Sequence, residues 1–220
     1  MLREVDPDRL FNDAALKAVG LDREVVAAGI SAVHRVLDGL DATLIGNDEA
    51  RMAGLIELAN LSAVIGNLLR GGIAKASGGR FVANGPHKYP DLLSTIHGID
   101  HLEIKVALET NKPKGHLAKP GPHLTCRYVL ADEQGRHTIG KQNRGDVAWI
   151  WEVRTGVLGE EHFNISNTPG DSGKTAVINK AGFGELHVVY VNPELCPYGA
   201  NTPTRREYVR LMQRGRGPLL

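Results

Sequence analysis

Two acidic residues and a lysine have the types and spacing that metal-dependent hydrolysis requires. Asp91 follows Pro90, and eleven residues separate it from Glu103 in the stretch HLEIKVAL. Strand alternation puts Glu103 and Lys105 on one face, while the apolar residues between them face the core. Carboxylate oxygens are preferred ligands of Mg²⁺, which activates water and stabilises charge on a phosphate. The pattern predicts phosphodiester hydrolysis; an ordinary surface ion pair between Glu103 and Lys105 is the alternative interpretation.

These residues resemble the motif of the PD-(D/E)xK nuclease superfamily, whose largest membership is restriction endonucleases. The matching residues are Pro90, Asp91, Glu103 and Lys105. The resemblance implies that Asp91 and Glu103 bind Mg²⁺ and that Lys105 assists the attacking water. Many members carry a further metal-proximal glutamate on a preceding helix, and Glu57 matches that role.

The resemblance implies a type II restriction endonuclease that hydrolyses double-stranded DNA at a short site and leaves 5′-phosphate and 3′-hydroxyl ends. A homodimer is expected, because a two-fold protein matches a palindromic site. A repair or recombination nuclease of the same superfamily is one alternative. A non-catalytic DNA-binding protein, in which the motif is accidental, is another.

Two polar loops are candidates for DNA contact, because they are rich in residues that bind phosphates or base edges. The first spans 109–122 and the second 164–174. The candidate residues are Asn111, Lys112, Lys114, His116 and Lys119 in the first loop, and Asn167, Thr168, Asp171, Ser172 and Lys174 in the second. Each loop is otherwise interpreted as an ordinary surface connection.

The elements that must position these residues form an α+β arrangement with an α/β-type core. Helical spacing predicts a helix over 22–40 and a second that begins after Asn47 or Asp48 and stops at Gly71-Gly72. Strands are expected at 101–108, 123–131, 146–158 and 185–193, and a short basic helix in the C-terminal tail. The expected architecture is a single restriction-endonuclease-like domain over 1–220. Its mixed central sheet is flanked by helices, with a helical region over about 1–75 and a catalytic sheet region over about 80–195.

Composition and charge are compatible with this interpretation. The net charge of the 220 residues is +1, but residues 105–127 hold five Lys/Arg against one Glu, and 201–220 hold the same balance. Such basic segments suit a phosphate backbone. Two cysteines and the lack of an apolar run favour a cytoplasmic protein without a membrane segment. The stretch GDSGKT (170–175) resembles the end of a phosphate-binding loop, but Thr168 stands where the first glycine of that loop is needed, so no nucleotide cofactor is expected.

Overall fold

A computed structural model of the chain describes residues 3–85, 88–140, 142, 144–166 and 175–215. Within these residues the helices are α1 (Asp13–Ala18), α2 (Arg23–Gly46), α3 (Met52–Leu55), α4 (Leu58–Ala76), α5 (Lys180–Glu185) and α6 (Pro203–Gly215). The strands are β1 (Phe81–Ala83), β2 (Leu92–Ser94), β3 (Glu103–Leu108), β4 (Lys114–Gly115), β5 (Gly121–Ala131), β6 (Val147–Leu158), β7 (Phe163–Ser166), β8 (Thr175–Ile178) and β9 (His187–Val191). The predicted mixture of helices and strands is confirmed. Across the described residues, no helix has both the length and the apolar character needed to cross a bilayer.

Helix α2 begins where the sequence supplies a cap. The side chain of Asp22 accepts a hydrogen bond from the backbone N–H of Val25 at 2.8 Å, which satisfies one of the free donors of the first turn. Its buried apolar residues, among them Ile30 and Leu37, recur at helical spacing and face the core. The predicted helix over 22–40 is confirmed, and it extends beyond its predicted end.

The prediction of the second helix is wrong at both of its ends. It does not begin after Asn47 as one continuous helix, because α3 and α4 are separate. It also continues through Gly71 and Gly72 to the end of α4. A Cβ atom on Gly72 would lie 2.8 Å from the Cβ of Ala32 and 3.0 Å from the Cα of Gly29. The glycine therefore allows α4 to approach α2 closely, which outweighs its low helix propensity.

The central sheet has the strand order β3-β5-β6-β9. Strands β3 and β5 are parallel, with Glu103 beside His123, whereas β6 is antiparallel to both β5 and β9. The β1–β2 hairpin meets the edge of this sheet through a bridge between Leu92 and Leu102. The predicted mixed sheet is confirmed. All four long strands of the prediction are present, and none of their ends differs from the prediction by more than two residues.

A second sheet joins the two polar stretches that the sequence predicted to be separate loops. Strand β8 pairs with β4 on one side and β7 on the other, both antiparallel. Lys114 lies opposite Val177, and Phe163 lies opposite Ile178. The prediction of irregular structure was wrong for 114–115 and 164–166, because their pairing with β8 leaves no signal in their own local sequence.

The two faces of the central sheet differ in chemistry. One face packs against α2 and α4 through apolar residues such as Ile104, Leu124 and Ile150. The opposite face carries polar and charged residues, including Glu103 and Lys105 from β3. The alternation predicted for β3 is therefore confirmed, with the candidate chemistry on the face away from the long helices.

A buried ionic network on this polar face ties α6 to the sheet. Glu152, of which 1% is exposed, accepts hydrogen bonds from Arg127 and from Nε of Arg154, the latter at 2.8 Å. The hydroxyl of Tyr208 donates to Glu152 and accepts from both arginines at 2.6 Å. Burial opposes ionisation of Glu152, but the two arginines outweigh it and lower the pKa of this carboxyl. The network anchors the basic C-terminal helix to the core.

Candidate active site

Asp91 is fixed beside the start of β3 by backbone contacts. Leu92 and Leu102 exchange two backbone hydrogen bonds, of 3.0 and 2.9 Å. The carboxylate oxygen Oδ2 of Asp91 accepts a hydrogen bond from the N–H of Ile104 at 2.8 Å. These contacts place the segment that begins at Asp91 beside the start of β3. Asp91 and Glu103 therefore lie close together despite their separation along the chain.

Glu103 is the centre of the cluster. Only 2% of its surface is exposed, and its oxygen Oε1 accepts from the ammonium groups of both Lys105 and Lys119, the latter at 2.8 Å. Its other oxygen, Oε2, is buried and has no hydrogen-bond partner among the residues that the structure describes. Burial opposes ionisation, but the two lysines outweigh it and lower the pKa of Glu103. Glu103 is thus an ionised carboxylate with one unused, buried oxygen.

Asp91 shows the opposite electrostatic behaviour. Burial first, and the charge of Glu103 second, raise the pKa of Asp91. The hydrogen bond from Ile104 and the charges of Lys105 and Lys119 offset these effects only in part. The two carboxylates therefore repel each other, and a cation shared between them would relieve that repulsion.

Lys119 enters the cluster from the connection between β3 and β5. Its ammonium lies 4.6 Å from the ring centroid of Tyr89, within the range of a cation–π contact. The hydroxyl of Tyr89 donates to the carbonyl of Pro120 at 2.9 Å, which holds the ring beside the end of this connection. The sequence pattern predicts DNA contact for Lys119 and does not indicate its ion pair with Glu103. The signal that was missed is the parallel pairing of β3 and β5, which returns the chain to the start of β3.

Lys105 lies under the second sheet. A Cβ atom on Gly115 of β4 would be 3.2 Å from Cε of Lys105, so glycine allows this segment to pass directly over the lysine. Lys105 is consequently 14% exposed, and it shares its face of the strand with Glu103, as predicted. The candidate site is thus bordered by the β4–β8–β7 sheet.

His123 is a further polar residue of this region. It lies on β5 beside Glu103 and is fully buried, with Nδ1 2.9 Å from the carbonyl of Gly121. Burial, the largest cause, lowers the pKa of this histidine. Nδ1 donates to the carbonyl when the ring is neutral, and Nε2 is buried without a partner among the described residues.

Most of the predicted DNA-contacting residues of the first connection are accessible, but they are spread along the length of β3. Lys114 and His116 flank Gly115, which lies over Lys105, whereas the N–H of Asn111 donates to the carbonyl of Leu108 at the opposite end of β3 from Glu103. Asn111, Lys112, Lys114 and His116 are exposed, whereas Lys119 is half-buried in the cluster. The second group cannot be located in the same way. Its members Asn167, Thr168, Asp171, Ser172 and Lys174 lie outside the described residues. The strands that lead to and from that group, β7 and β8, belong to the sheet that borders Lys105.

Glu57 is not brought to this cluster. It is exposed and occupies the N-cap position of α4, so it precedes this helix instead of lying within it as predicted. The carbonyl of the next residue, Leu58, accepts from the hydroxyl of Tyr128 at 3.2 Å. Tyr128 pairs with Leu108, at the opposite end of β3 from Glu103. The break between α3 and α4 accounts for this position, because it makes residue 57 the start of a helix.

The residues present suit a hard divalent cation bound by few protein ligands. No group of three His, Cys, Asp or Glu side chains that could hold a metal occurs in the described part of the chain. Asp91 and Glu103 supply two carboxylates, one with a buried oxygen that lacks a partner. Mg²⁺ typically uses one or two carboxylates and completes its shell with water and substrate phosphate. The pair therefore fits Mg²⁺ better than an ion that needs an all-protein cage.

Comparison of the chain with protein-family models, curated proteins and solved structures found no match in any of the three.

Proposed function

We propose that this protein is a Mg²⁺-dependent endodeoxyribonuclease that hydrolyses phosphodiester bonds in double-stranded DNA. The observation that carries the proposal is the convergence of Asp91 and Glu103 at the start of β3, where the ammonium of Lys105 donates to the carboxylate of Glu103. This combination matches the motif on which the resemblance to PD-(D/E)xK nucleases rests. The arrangement also provides two mutually repelling acidic groups for a cation to neutralise.

Each residue has a distinct part in the proposed reaction. Bound Mg²⁺ would supply an activated water and stabilise the charge that develops on the phosphate. Asp91 and Glu103 would hold the cation, with Asp91 oriented by the N–H of Ile104. The ammonium of Lys105 would orient the attacking water and stabilise negative charge. The water oxygen bonds to phosphorus, the bond to the 3′-oxygen breaks, and that oxygen takes up a proton.

The more specific proposal is a type II restriction endonuclease with a restriction-endonuclease-like fold that acts as a homodimer. Accessible ammonium and imidazole groups on either side of Gly115, which lies over Lys105, support site-specific recognition, because such groups bind phosphates and base edges. They belong to Lys114 and His116. The second sheet supports the same proposal, since it joins both predicted recognition segments beside Lys105.

A non-catalytic DNA-binding protein is the second candidate, and one observation favours it. Both Lys105 and Lys119 contact Glu103, so the acidic residue is already neutralised without a metal. This alternative predicts DNA binding that is indifferent to Asp91 and no cleavage with any divalent cation. A repair or recombination nuclease of the same superfamily would instead cut according to DNA structure rather than sequence.

The test is cleavage of a plasmid and of a phage DNA by the purified full chain, with Mg²⁺ and with EDTA. Lys105→Met removes the proposed catalytic ammonium, and Lys75→Met is the matched control, because Lys75 is exposed at the end of α4. Discrete fragments that require Mg²⁺ and Lys105 are expected from a restriction endonuclease. A smear that is lost in Lys105→Met would favour a repair-type nuclease. DNA binding without cleavage would favour the non-catalytic protein.

A further inference from the structure

Two ammonium groups compete for one carboxylate oxygen in the candidate site. Lys105 and Lys119 both donate to Oε1 of Glu103, the latter at 2.8 Å. With Asp91, the cluster holds two acidic and two basic side chains. A divalent cation that binds Glu103 meets these ammonium groups at the same carboxylate, and like-charge repulsion favours the departure of at least one of them.

The two lysines differ in how firmly they are held. Lys105 belongs to β3, whose residues pair in register with β5, and it is 14% exposed beneath Gly115. Lys119 lies outside any strand, just before Pro120, and is 27% exposed. Its four-carbon side chain can therefore move its charge at lower cost, and Lys119 is the ammonium that is free to leave.

Tyr89 gives the departing ammonium a second favourable contact. The ring centroid lies 4.6 Å from Nζ of Lys119, and the ring is held by its hydrogen bond to Pro120. The attraction between an ammonium and an aromatic face does not depend on Glu103. An ammonium released from the carboxylate can thus stay at the border of the site, where a phosphodiester oxygen would approach the cation.

We propose that Lys119 is a second catalytic lysine. Its ammonium pairs with Glu103 in the cation-free protein and moves to contact an oxygen of the scissile phosphate when Mg²⁺ binds. This inference rests on the proposed nuclease function. Lys119 makes two successive contacts in this scheme. Its ammonium first competes with the cation for Glu103 and then binds the substrate. No covalent bond to Lys119 forms or breaks.

The two contacts predict opposite effects of one substitution. Lys119→Met removes the competing charge, so Mg²⁺ should bind the DNA-free protein about twofold to fivefold more tightly, as a weak, partly exposed ion pair allows. The same change removes a phosphate contact in the transition state, so single-turnover cleavage at saturating DNA and Mg²⁺ should slow by about 100-fold. A merely structural role would weaken both properties together.

The experiment measures Mg²⁺ affinity by calorimetry on the full chain without DNA, and single-turnover cleavage on a plasmid. Lys119→Gln is a second uncharged variant in case Lys119→Met does not fold, and Lys75→Met is the control. Tighter Mg²⁺ binding with slower cleavage supports the inference. Cleavage within threefold of the original protein, or unchanged Mg²⁺ affinity, overturns it while the nuclease proposal stands. Absence of Mg²⁺-dependent cleavage in the unaltered protein overturns both.

Discussion

Asp91→Asn separates the chemical role of this residue from its structural role. Asparagine keeps an oxygen that can accept the hydrogen bond from Ile104, so the backbone contact at the start of β3 is retained. The substitution removes a charge whose presence is opposed by burial and by Glu103. We therefore expect cleavage to be lost while the cation-free protein remains at least as stable as before.

The expected magnitudes follow from these contacts. A metal ion supplies several kcal/mol of transition-state stabilisation, and about 1.4 kcal/mol corresponds to a factor of ten in rate. Loss of one of the two carboxylates should then slow cleavage by about 1000-fold or more. The gain in unfolding free energy without metal should lie between zero and about 1 kcal/mol, because solvent and the nearby lysines screen the repulsion.

The pH dependence has a defined sign. The pKa of Asp91 is raised in the folded protein, so the protonated form favours folding, and this contribution is lost as pH rises through the folded pKa. The advantage of Asp91→Asn should therefore be small in acid, where the carboxyl is already neutral, and should grow towards neutral pH. Asp100→Asn, an exposed position shortly before β3, is the matched control.

Urea unfolding in EDTA and in Mg²⁺, together with plasmid cleavage rates, measures all three expectations. Mg²⁺ at ten times its dissociation constant should stabilise the original protein by about 1.4 kcal/mol and should stabilise Asp91→Asn much less. Destabilisation of Asp91→Asn by more than about 1.5 kcal/mol in EDTA would mean that the residue is structural. Cleavage within tenfold of the original rate would remove Asp91 from the proposed metal site.

Three further predictions concern residues around the site. Glu152→Gln leaves the buried Arg127 and the partly buried Arg154 without their counter-charge and should lower the unfolding free energy by about 3–5 kcal/mol in urea; a loss below about 1 kcal/mol would contradict the inferred network. Glu57→Gln should leave Mg²⁺ affinity and cleavage within twofold, because Glu57 is exposed and distant from Glu103; a tenfold loss of affinity in calorimetry would restore it to the metal site. Gly72→Ala should cost about 1–3 kcal/mol, since its Cβ would lie 3.0 Å from the backbone of Gly29; an unchanged midpoint in thermal unfolding would refute the close packing of the two helices.

Local patterns predicted the elements of this fold well. Strand periodicity identified β3 and the shared face of Glu103 and Lys105, because side-chain direction in a strand depends only on position along it. The cap at Asp22 and the apolar spacing that follows likewise located α2. These features are encoded within a few residues, so one sequence is enough to find them.

Long-range contacts account for the errors. The pair between Lys119 and Glu103 depends on the parallel pairing of β3 and β5, which local periodicity does not encode. The extension of α4 past Gly72 depends on close contact with α2, which outweighs the helix propensity of glycine. Glu57 matched a family pattern by order along the chain, but the break before α4 put it at the wrong end of β3.

The parallel pairing of β3 and β5 also constrains how this protein can diverge. Residues 109–120 must return along the length of β3, roughly 20 Å for a six-residue strand. The return path is fixed in its middle by β4 and at its end by the hydrogen bond between Tyr89 and Pro120. Between these anchors the chain exposes His116 and Leu117, which can vary in type and number without moving the residues that follow. The exposed residues of this connection can therefore evolve at a different rate from Lys119, which contacts the buried carboxylate of Glu103.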